Sequence, residues 1–379
     1  MKNFEQNDKT WMDSTLLRQV KKATQYVLHG DLGGLNKEVK AYMQWRRQRN
    51  LLPAASVQLP VPMLVSLQQS DKMAASGSPA LEVSGHQKSE SEYWDEADIN
   101  LIRHASWLSA GNGALGQWAL DALCTDHHGD VSGTILAYLG GKPLTDLRGL
   151  ILGCGDMQAE HGMFCDPRLQ FSEIDAHDIS PASIERARQL TNERGLNVNY
   201  YVSDINLLEL PADKYDLVIC FYAYHHFQEV DRIAAQINKS LRKKGVFFTI
   251  DYVGERQQQF SSEQMFFANQ FLQLLPKRFR RELDGRERQE AQRIPVEFFS
   301  PDEAIYSDKI LDAIDGNLNV LCQYNWAGLL MPLLEGLGFN ISTEKGDMDL
   351  LRFLFEIDQA LVNAGKIGPN FTMTMAGKK

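Results

Sequence analysis

Four short clusters in this sequence carry residue types that could do chemistry, and each follows an apolar run. The first is Gly153-Cys154-Gly155-Asp156, directly after Leu150-Ile151-Leu152. Glycines at such a turn let the backbone approach a ligand closely, and the N-terminus of a following helix favours negative charge or hydrogen-bond acceptors. A GxG turn is also an ordinary loop. The second is Asp178-Ile179, about 25 residues further on, where an acidic side chain can accept both hydrogen bonds of a ribose diol. Ser180-Pro181 already supplies a helix start, so capping does not require Asp178; Asp175, inside the apolar pattern, is the competing carboxylate. The third is Ser203-Asp204-Ile205: a carboxylate there can receive an adenine amino group while the apolar neighbour packs on the ring. A turn-forming Asp is the alternative. The fourth is Phe221-Tyr222-Ala223-Tyr224-His225-His226-Phe227, whose rings can pack on a ligand and attract a cationic centre. Core packing would equally explain it.

These clusters need elements to hold them. From about Leu147 the chain alternates apolar runs with helical patterns, which means a parallel sheet covered by helices. Strands are expected at Leu150–Leu152, Phe171–Asp178, Val198–Val202, Tyr215–Phe221 and Val246–Tyr252, the last after a turn at Lys243-Lys244-Gly245. Tyr215–Phe221 is almost wholly apolar and is expected at the sheet centre. Helices are expected over Ala182–Thr191, Val230–Leu241, Ser262–Leu275, Pro301–Ile314 with Ser300 as cap, and Leu350–Ala364; further strands over Leu318–Tyr324 and Asn370–Met375. In an open parallel sheet, ligands bind beyond the carboxyl ends of the strands where strand order reverses, which is where all four clusters fall.

Upstream, apolar residues at helical spacing from Met12 to about Arg49, broken at Asp31-Leu32-Gly33-Gly34, predict a helical hairpin within an N-terminal helical segment, 1–65. Residues 66–92 are rich in Ser, Gln, Ala and Lys and are expected to be a flexible linker. The main domain is expected over 93–379. With 44% apolar and 23% charged residues the composition is that of an ordinary folded chain. A net charge of −10 argues against non-specific nucleic-acid binding. The one basic cluster, Lys277-Arg278-Phe279-Arg280-Arg281, reads first as a solvated helix face and second as a contact for an anionic substrate. No apolar run is long enough for a membrane span, and the polar start lacks a signal-peptide core, so a cytoplasmic location without membrane attachment is expected. Cys124, Cys154, Cys165, Cys220 and Cys322 have no CxxC or Cys/His ligand spacing, so neither a metal site nor a disulfide framework is expected.

Taken in order, Leu152-Gly153-Cys154-Gly155, Asp178-Ile179-Ser180-Pro181, Ser203-Asp204 and Tyr215-Asp216-Leu217-Val218 with His225-His226 resemble the motifs of class I S-adenosylmethionine-dependent methyltransferases. Nicotinamide enzymes would require a third glycine where Gln158 stands. Asp251-Tyr252-Val253-Gly254, Ser300-Pro301-Asp302-Glu303-Ala304 and Gly365-Lys366-Ile367-Gly368-Pro369-Asn370-Phe371 are similar to a bacterial subfamily with poorly defined substrates. The chain departs from the patterns at Met157 (usually glycine), at Glu160-His161 (usually Glu-Arg), at Asp251 (usually Glu) and at Gln257 (usually Arg, with Arg256 adjacent).

The resemblance implies a Rossmann-like α/β fold, a mostly parallel seven-stranded sheet with helices on both faces. It implies S-adenosyl-L-methionine as cofactor, held by Gly153, Cys154, Gly155, Asp178, Ile179, Asp204, Ile205 and Phe221. Methyl transfer is an in-line displacement at an activated carbon, so alignment and exclusion of water come first. For an acceptor that must lose a proton, His226, His225 and Asp251 are the candidate catalytic groups. Cys154 lacks a neighbouring base and is not a nucleophile candidate. The expected acceptor is a small-molecule or carrier-bound metabolite, oxygen ahead of nitrogen or carbon. A non-catalytic cofactor-binding or regulatory protein is the alternative. The N-terminal helices are expected to dock a partner or to mediate self-association.

Overall fold

The computed structural model describes Lys22 and residues 89–125, 130–140 and 144–379. The expected N-terminal hairpin and most of the linker lie outside the described residues. Residues 89–92, expected to be linker, instead begin helix α1 (Glu90–Glu96), which Ser89 caps in a reciprocal capping box with Glu92. Helix α2 (Ile99–Ala105), a 3-10 segment (Trp107–Gly113), α3 (Ala114–Leu123) and α4 (Val131–Leu139) precede the sheet.

The strands are β1 (Leu144–Leu152), β2 (Leu169–Asp178), β3 (Val198–Val202), β4 (Tyr215–Phe221), β5 (Leu241–Tyr252), β6 (Leu318–Trp326) and β7 (Phe371–Lys378). They form one sheet in the order β3-β2-β1-β4-β5-β7-β6, parallel except for β7, which runs antiparallel to β5 and β6. Strand order reverses between β1 and β4. Alternation with period two divides the core: Leu217, Ile219 and Phe221 of β4 enter one layer, Val218 and Cys220 the other. Helices α7 (Val230–Ser240) and α9 (Ile310–Asn317) cover the second face through Ile233, Ile237, Ile310 and Ile314. The first face is covered by α3, by α8 (Ser262–Leu274) and, beyond a short α10 (Leu330–Leu334), by α11 (Lys345–Asn363). Of the remaining helices, α5 (His161–Phe164) follows β1, and α6 (Pro181–Arg194) starts as the sequence predicts, with Ser180 capping the N–H of Ser183 and Pro181 in the first turn. No helix among the described residues is long and apolar enough to cross a membrane.

Three expectations are corrected. Lys243-Lys244-Gly245 is not a turn before β5 but a bulge inside it: Tyr215 pairs with Leu241 and Leu217 already with Val246. Residues 301–306 form turns rather than the start of a helix, and Ser307–Lys309 a single 3-10 turn. Ala304 takes a positive φ of 50°, and the segment is held by long-range bonds, Asp302 N donating to Glu90 and Gln257 N to the Ala304 carbonyl, so the helix starts only at Ile310. The basic cluster is a 3-10 turn whose side chains engage in ion pairs, Arg278 with Asp347 and both Lys277 and Arg280 with Glu287.

The 3-10 segment is fastened to the sheet edge by Trp107, 2% exposed, whose ring meets Trp326 of β6 at 5.0 Å and Phe371 of β7 at 5.3 Å. Trp107→Ala is expected to lower unfolding free energy by about 3–5 kcal/mol, read from the urea midpoint. A change below about 1 kcal/mol would mean that this docking contributes little.

Candidate active site

The glycine turn is fixed from three sides. Gly153 and Cys154 donate their N–H groups to the His177 carbonyl, 2.9 and 3.0 Å, tying the end of β1 to β2. Gly153 has φ +71°, and a Cβ there would collide with that of Ala223 in the loop after β4, so only glycine fits. Met157, where the resembled pattern has glycine, adopts φ +64° with its side chain fully buried. Arg103 of α2 grips Asp156 through two hydrogen bonds of 2.8 and 2.6 Å.

Asp178 closes β2 beside this turn. One carboxylate oxygen accepts from Gly155 N and the other from Ser180 N, both at 2.8 Å. Burial pushes its carboxyl up, and those two N–H groups pull against it. Each oxygen keeps a further lone pair, the arrangement a vicinal diol needs. Asp175, the competitor, is engaged instead by Lys214, Asn199 and Tyr215.

Next to Asp178 opens a crevice of about 450 Å³, lined by Ile179, Asp204, Asn206, Leu207, Gln228, Glu229, Arg232 and Asp302. Ile179 and Asp204 therefore share a wall. Asp204 also accepts from Asn206 N at 2.9 Å. Of the eight predicted cofactor residues, Ile179 and Asp204 line this crevice; Gly153, Cys154, Gly155 and Asp178 are not in its wall, Ile205 is buried in one core layer, and Phe221 in the other, its ring 4.9 Å from Phe248. Phe221 shares the face of Leu217 and Ile219, so strand periodicity turns it into the core. Cys154 is buried, and burial holds its thiol well above the usual range, which leaves it inert as a nucleophile.

Beyond β4 the backbone turns sharply. Tyr222 has φ +54° and donates its N–H to the Ile250 carbonyl. Asp251, fully buried at the end of β5, accepts from the next three N–H groups: Ala223 at 3.0 Å, Tyr224 at 2.7 Å and His225 at 3.1 Å. It also accepts from His225 Nδ1 at 2.6 Å. With its lone pairs so engaged, Asp251 is an anchor for the loop and has no capacity left to act as a base. His225 Nε2 lies 3.4 Å from Glu303. Burial alone would lower the His225 pKa, but the charges of Asp251 and Glu303 outweigh it and hold it at about 10. An imidazole protonated in that way cannot remove a proton at neutral pH. Glu303, despite burial, is held down at about 2 by the charges of His226 and His225. His226 Nδ1 faces Glu90 at 3.1 Å and Ser300 Oγ at 3.3 Å, and its ring meets the edge of Trp94 at 5.3 Å. Glu90 in turn accepts from Trp94 Nε1 at 2.6 Å and Asp302 N at 2.9 Å.

Three acidic side chains at the site escape local sequence pattern. Glu90 lay in the expected linker, although Ser89-Glu90-Ser91-Glu92 carries a capping-box signature. Glu303 lay on the expected helix, and only its place in the Ser300–Ala304 motif marked it. Glu160, 3% exposed behind the glycine turn, is pushed up to about 8 by burial, within the electrostatic reach of Asp156, Arg103 and Asp178. Helix α1 closes over the same edge: Ser91 donates to the Ile179 carbonyl at 3.0 Å, and Asp95 accepts from Ser180 Oγ at 2.6 Å.

Residues 150–249 match the family model described as a methyltransferase domain. An uncharacterized methyltransferase of Bacillus subtilis, YcgJ, is 29% identical over 76 residues, covering 20% of this chain and 30% of that protein. A ubiquinone biosynthesis O-methyltransferase of Methylobacterium sp. is 24% identical over 170 residues, covering 45% of this chain and 61% of that protein. The chain thus spans less than two thirds of the length of either curated relative. An S-adenosylmethionine-dependent methyltransferase structure from Mesorhizobium loti aligns with a TM-score of 0.38 at 16% identity, over 64% of this chain and 95% of that one. The segment 150–249, which contains the glycine turn, Asp178, Asp204 and the His225-His226 pair, is thus a methyltransferase domain by its family match.

Proposed function

We propose that this chain binds S-adenosylmethionine beyond the carboxyl ends of β1, β2 and β3 and transfers its methyl group to a small-molecule or carrier-bound acceptor, by preference at oxygen. The observation that carries the reading is Asp178: a buried carboxylate hydrogen-bonded to the glycine turn on one oxygen and to the next helix start on the other, with a lone pair spare on each for a ribose diol. Asp204 and Ile179 on the crevice wall suit the adenine, and Glu160 behind the glycine turn suits the cationic amino group of the methionine end. The similarity to ubiquinone biosynthesis O-methyltransferases favours an oxygen acceptor. Because the charges of Asp251 and Glu303 hold the His225 pKa at about 10, and Asp251 is occupied by hydrogen bonds, neither serves as the base for a hydroxyl acceptor.

Calorimetric titration with S-adenosylmethionine and S-adenosylhomocysteine is expected to give micromolar binding to the wild type, weakened by about 10–100-fold in Asp178→Ala, the cost of losing hydrogen bonds to a charged acceptor. Binding of neither ligand by the folded wild type would remove the methyltransferase reading. Methyl transfer to no acceptor despite binding would leave the regulatory alternative.

Glu160 gives a second, independent test. Its surroundings include Asp156, Asp178 and Cys154, the Arg103 guanidinium, and Tyr222 on the loop after β4. With a free-state pKa of about 8, the carboxyl is mostly neutral at pH 7, and a cationic amino group beside it favours ionisation. Cofactor affinity should therefore rise from pH 6 to 8, by at most about tenfold per unit, and level off above, with proton release on binding. Glu160→Gln should flatten that profile; an unchanged profile in the variant would exclude the assignment.

Recruitment of a partner, or self-association, through the N-terminal helices is tested by removing residues 1–88, which preserves Ser89 and its capping box. Loss of partner binding or a change in oligomeric state is expected. Retention of both would end the docking idea.

A further inference from the structure

Two adjacent histidines and three carboxylates converge beyond β4 and β5 in two shells. His225 donates from Nδ1 to Asp251 at 2.6 Å, which leaves Nε2 directed at Glu303 Oε1, 3.4 Å away. His226 repeats the pattern: Nδ1 faces Glu90 at 3.1 Å, and Nε2 faces Glu303 Oε2 at 3.7 Å. One carboxylate stands behind each ring, and a single carboxylate lies between the two outward nitrogens. Carboxylates behind imidazoles are how proteins orient histidines toward a metal, because they fix the tautomer and raise the basicity of the free nitrogen.

The spacing fits a bound ion. Nitrogen and oxygen donors about 2.1 Å from a tetrahedral cation lie about 3.4 Å from one another. The two N···O separations are 3.4 and 3.7 Å, and one donor atom from each of His225, His226 and Glu303 lies within 4.8 Å of the other two. Both N···O separations are within a few tenths of an ångström of that value, with Glu303 presenting Oε1 to His225 and Oε2 to His226. Glu303 is itself oriented, accepting a hydrogen bond from Gln258 Nε2. A purely structural role for the histidines would already be met by Asp251 and Glu90. Without a cation, His225 Nε2 carries a proton toward Glu303; a metal bound between them takes the place of that proton, which is released on binding.

We infer that His225 Nε2, His226 Nε2 and Glu303 form a binding site for one divalent transition-metal cation, with Asp251 and Glu90 orienting the imidazoles. Two imidazole nitrogens and one carboxylate select zinc, manganese, iron(II) or cobalt(II) over magnesium or calcium, which take all-oxygen sets. Three protein donors leave a position for an oxygen ligand. On the methyl-transfer reading proposed above, and resting on it, that ligand is the acceptor hydroxyl. The cation makes its O–H bond easier to break, the proton leaves to solvent, and the oxygen lone pair forms the new C–O bond as the donor's C–S bond breaks. The sulfonium becomes a neutral thioether, and no oxidant or reductant is needed.

The test uses the full chain, stripped with chelator and titrated with cobalt(II) under visible absorption, then challenged with zinc. One equivalent of cobalt with an intense d–d band of low coordination number, displaced by zinc and unmoved by millimolar magnesium, is expected. Glu303→Gln and His226→Gln should weaken binding at least about 100-fold, and Asp251→Asn about 10–100-fold. Asp308→Asn, an exposed carboxylate paired with Arg256, should bind as wild type. Folding of each variant is checked by circular dichroism, and the wild-type spectrum decides the matter even if a variant fails to fold. A stripped wild type that takes up neither cobalt nor zinc, a spectrum of the hydrated ion, or equal binding by folded Glu303→Gln overturns the site. Parallel calorimetry with S-adenosylmethionine separates the two proposals: metal uptake without cofactor binding retains the site and removes its acceptor role, whereas cofactor binding without metal uptake retains methyl transfer and removes the site.

Discussion

The buried carboxylate of Asp251 is the constraint on which this site depends. Where β4 ends, the backbone leaves the sheet through a left-handed Tyr222, and three consecutive N–H groups lose their strand partners in the protein interior. Left unpaired, each would cost about 1–3 kcal/mol. A single carboxylate from the neighbouring strand answers all three and holds the first imidazole as well. The loop so fixed brings Ala223 against Gly153, so the glycine turn at the end of β1 is positioned by the same anchor. A neutral residue at 251 could not serve, because only a carboxylate offers acceptors on both oxygens without bringing a donor of its own.

Around that anchor the fold gathers side chains from distant stretches of chain. Strand order reverses between β1 and β4, and a crevice beyond the carboxyl ends of the strands is lined by Ile179 after β2 and Asp204 after β3, with the glycine turn and Asp178 at the neighbouring strand ends. The helix just before the described core, α1, reaches over the rim with Glu90 and Ser91, while Arg103 of α2 clamps Asp156. The irregular stretch after Ser300 delivers Glu303 and Asp302. A regular helix there would have pointed side chains around its axis at 100° intervals; the turns, with Ala304 at positive φ, bring the backbone of Asp302 to Glu90 and the carboxylate of Glu303 to both histidines.

How much of this was legible in the sequence follows from how local each feature is. Val198–Val202 and Tyr215–Phe221 were readable to the residue because each is a short β-prone run bounded by turn residues. The positions of Asp178 and the glycine turn were readable because both follow apolar strand runs. Ile205 and Phe221 were assigned to the cofactor and fall in the core, since adjacency to a motif says nothing of which face a side chain takes. Asp251 was a candidate base; what it does is set by three N–H groups near residue 224, about 27 positions away, which no local pattern encodes. Glu90 and Glu303 lay hidden for the same reason: long-range hydrogen bonds overrode the helix signal at Pro301 and placed both carboxylates on His226.

The distribution of acid around the crevice bears on the direction of the proposed reaction. Burial raises the carboxyls of Asp178 and Asp302 and pushes Glu160 up to about 8, so that Glu160 is mostly neutral at pH 7. On the proposed reading, a ligand with a sulfonium and an ammonium favours ionisation of Glu160, and that ionisation strengthens binding in turn. Once the methyl group has left, sulfur is neutral and half of that positive charge is gone. Glu160 then loses part of this stabilisation, which weakens the hold on the product relative to the donor. On that reading the burial of Glu160 acts twice, favouring its charge when the methyl donor arrives and disfavouring it when the methyl group departs.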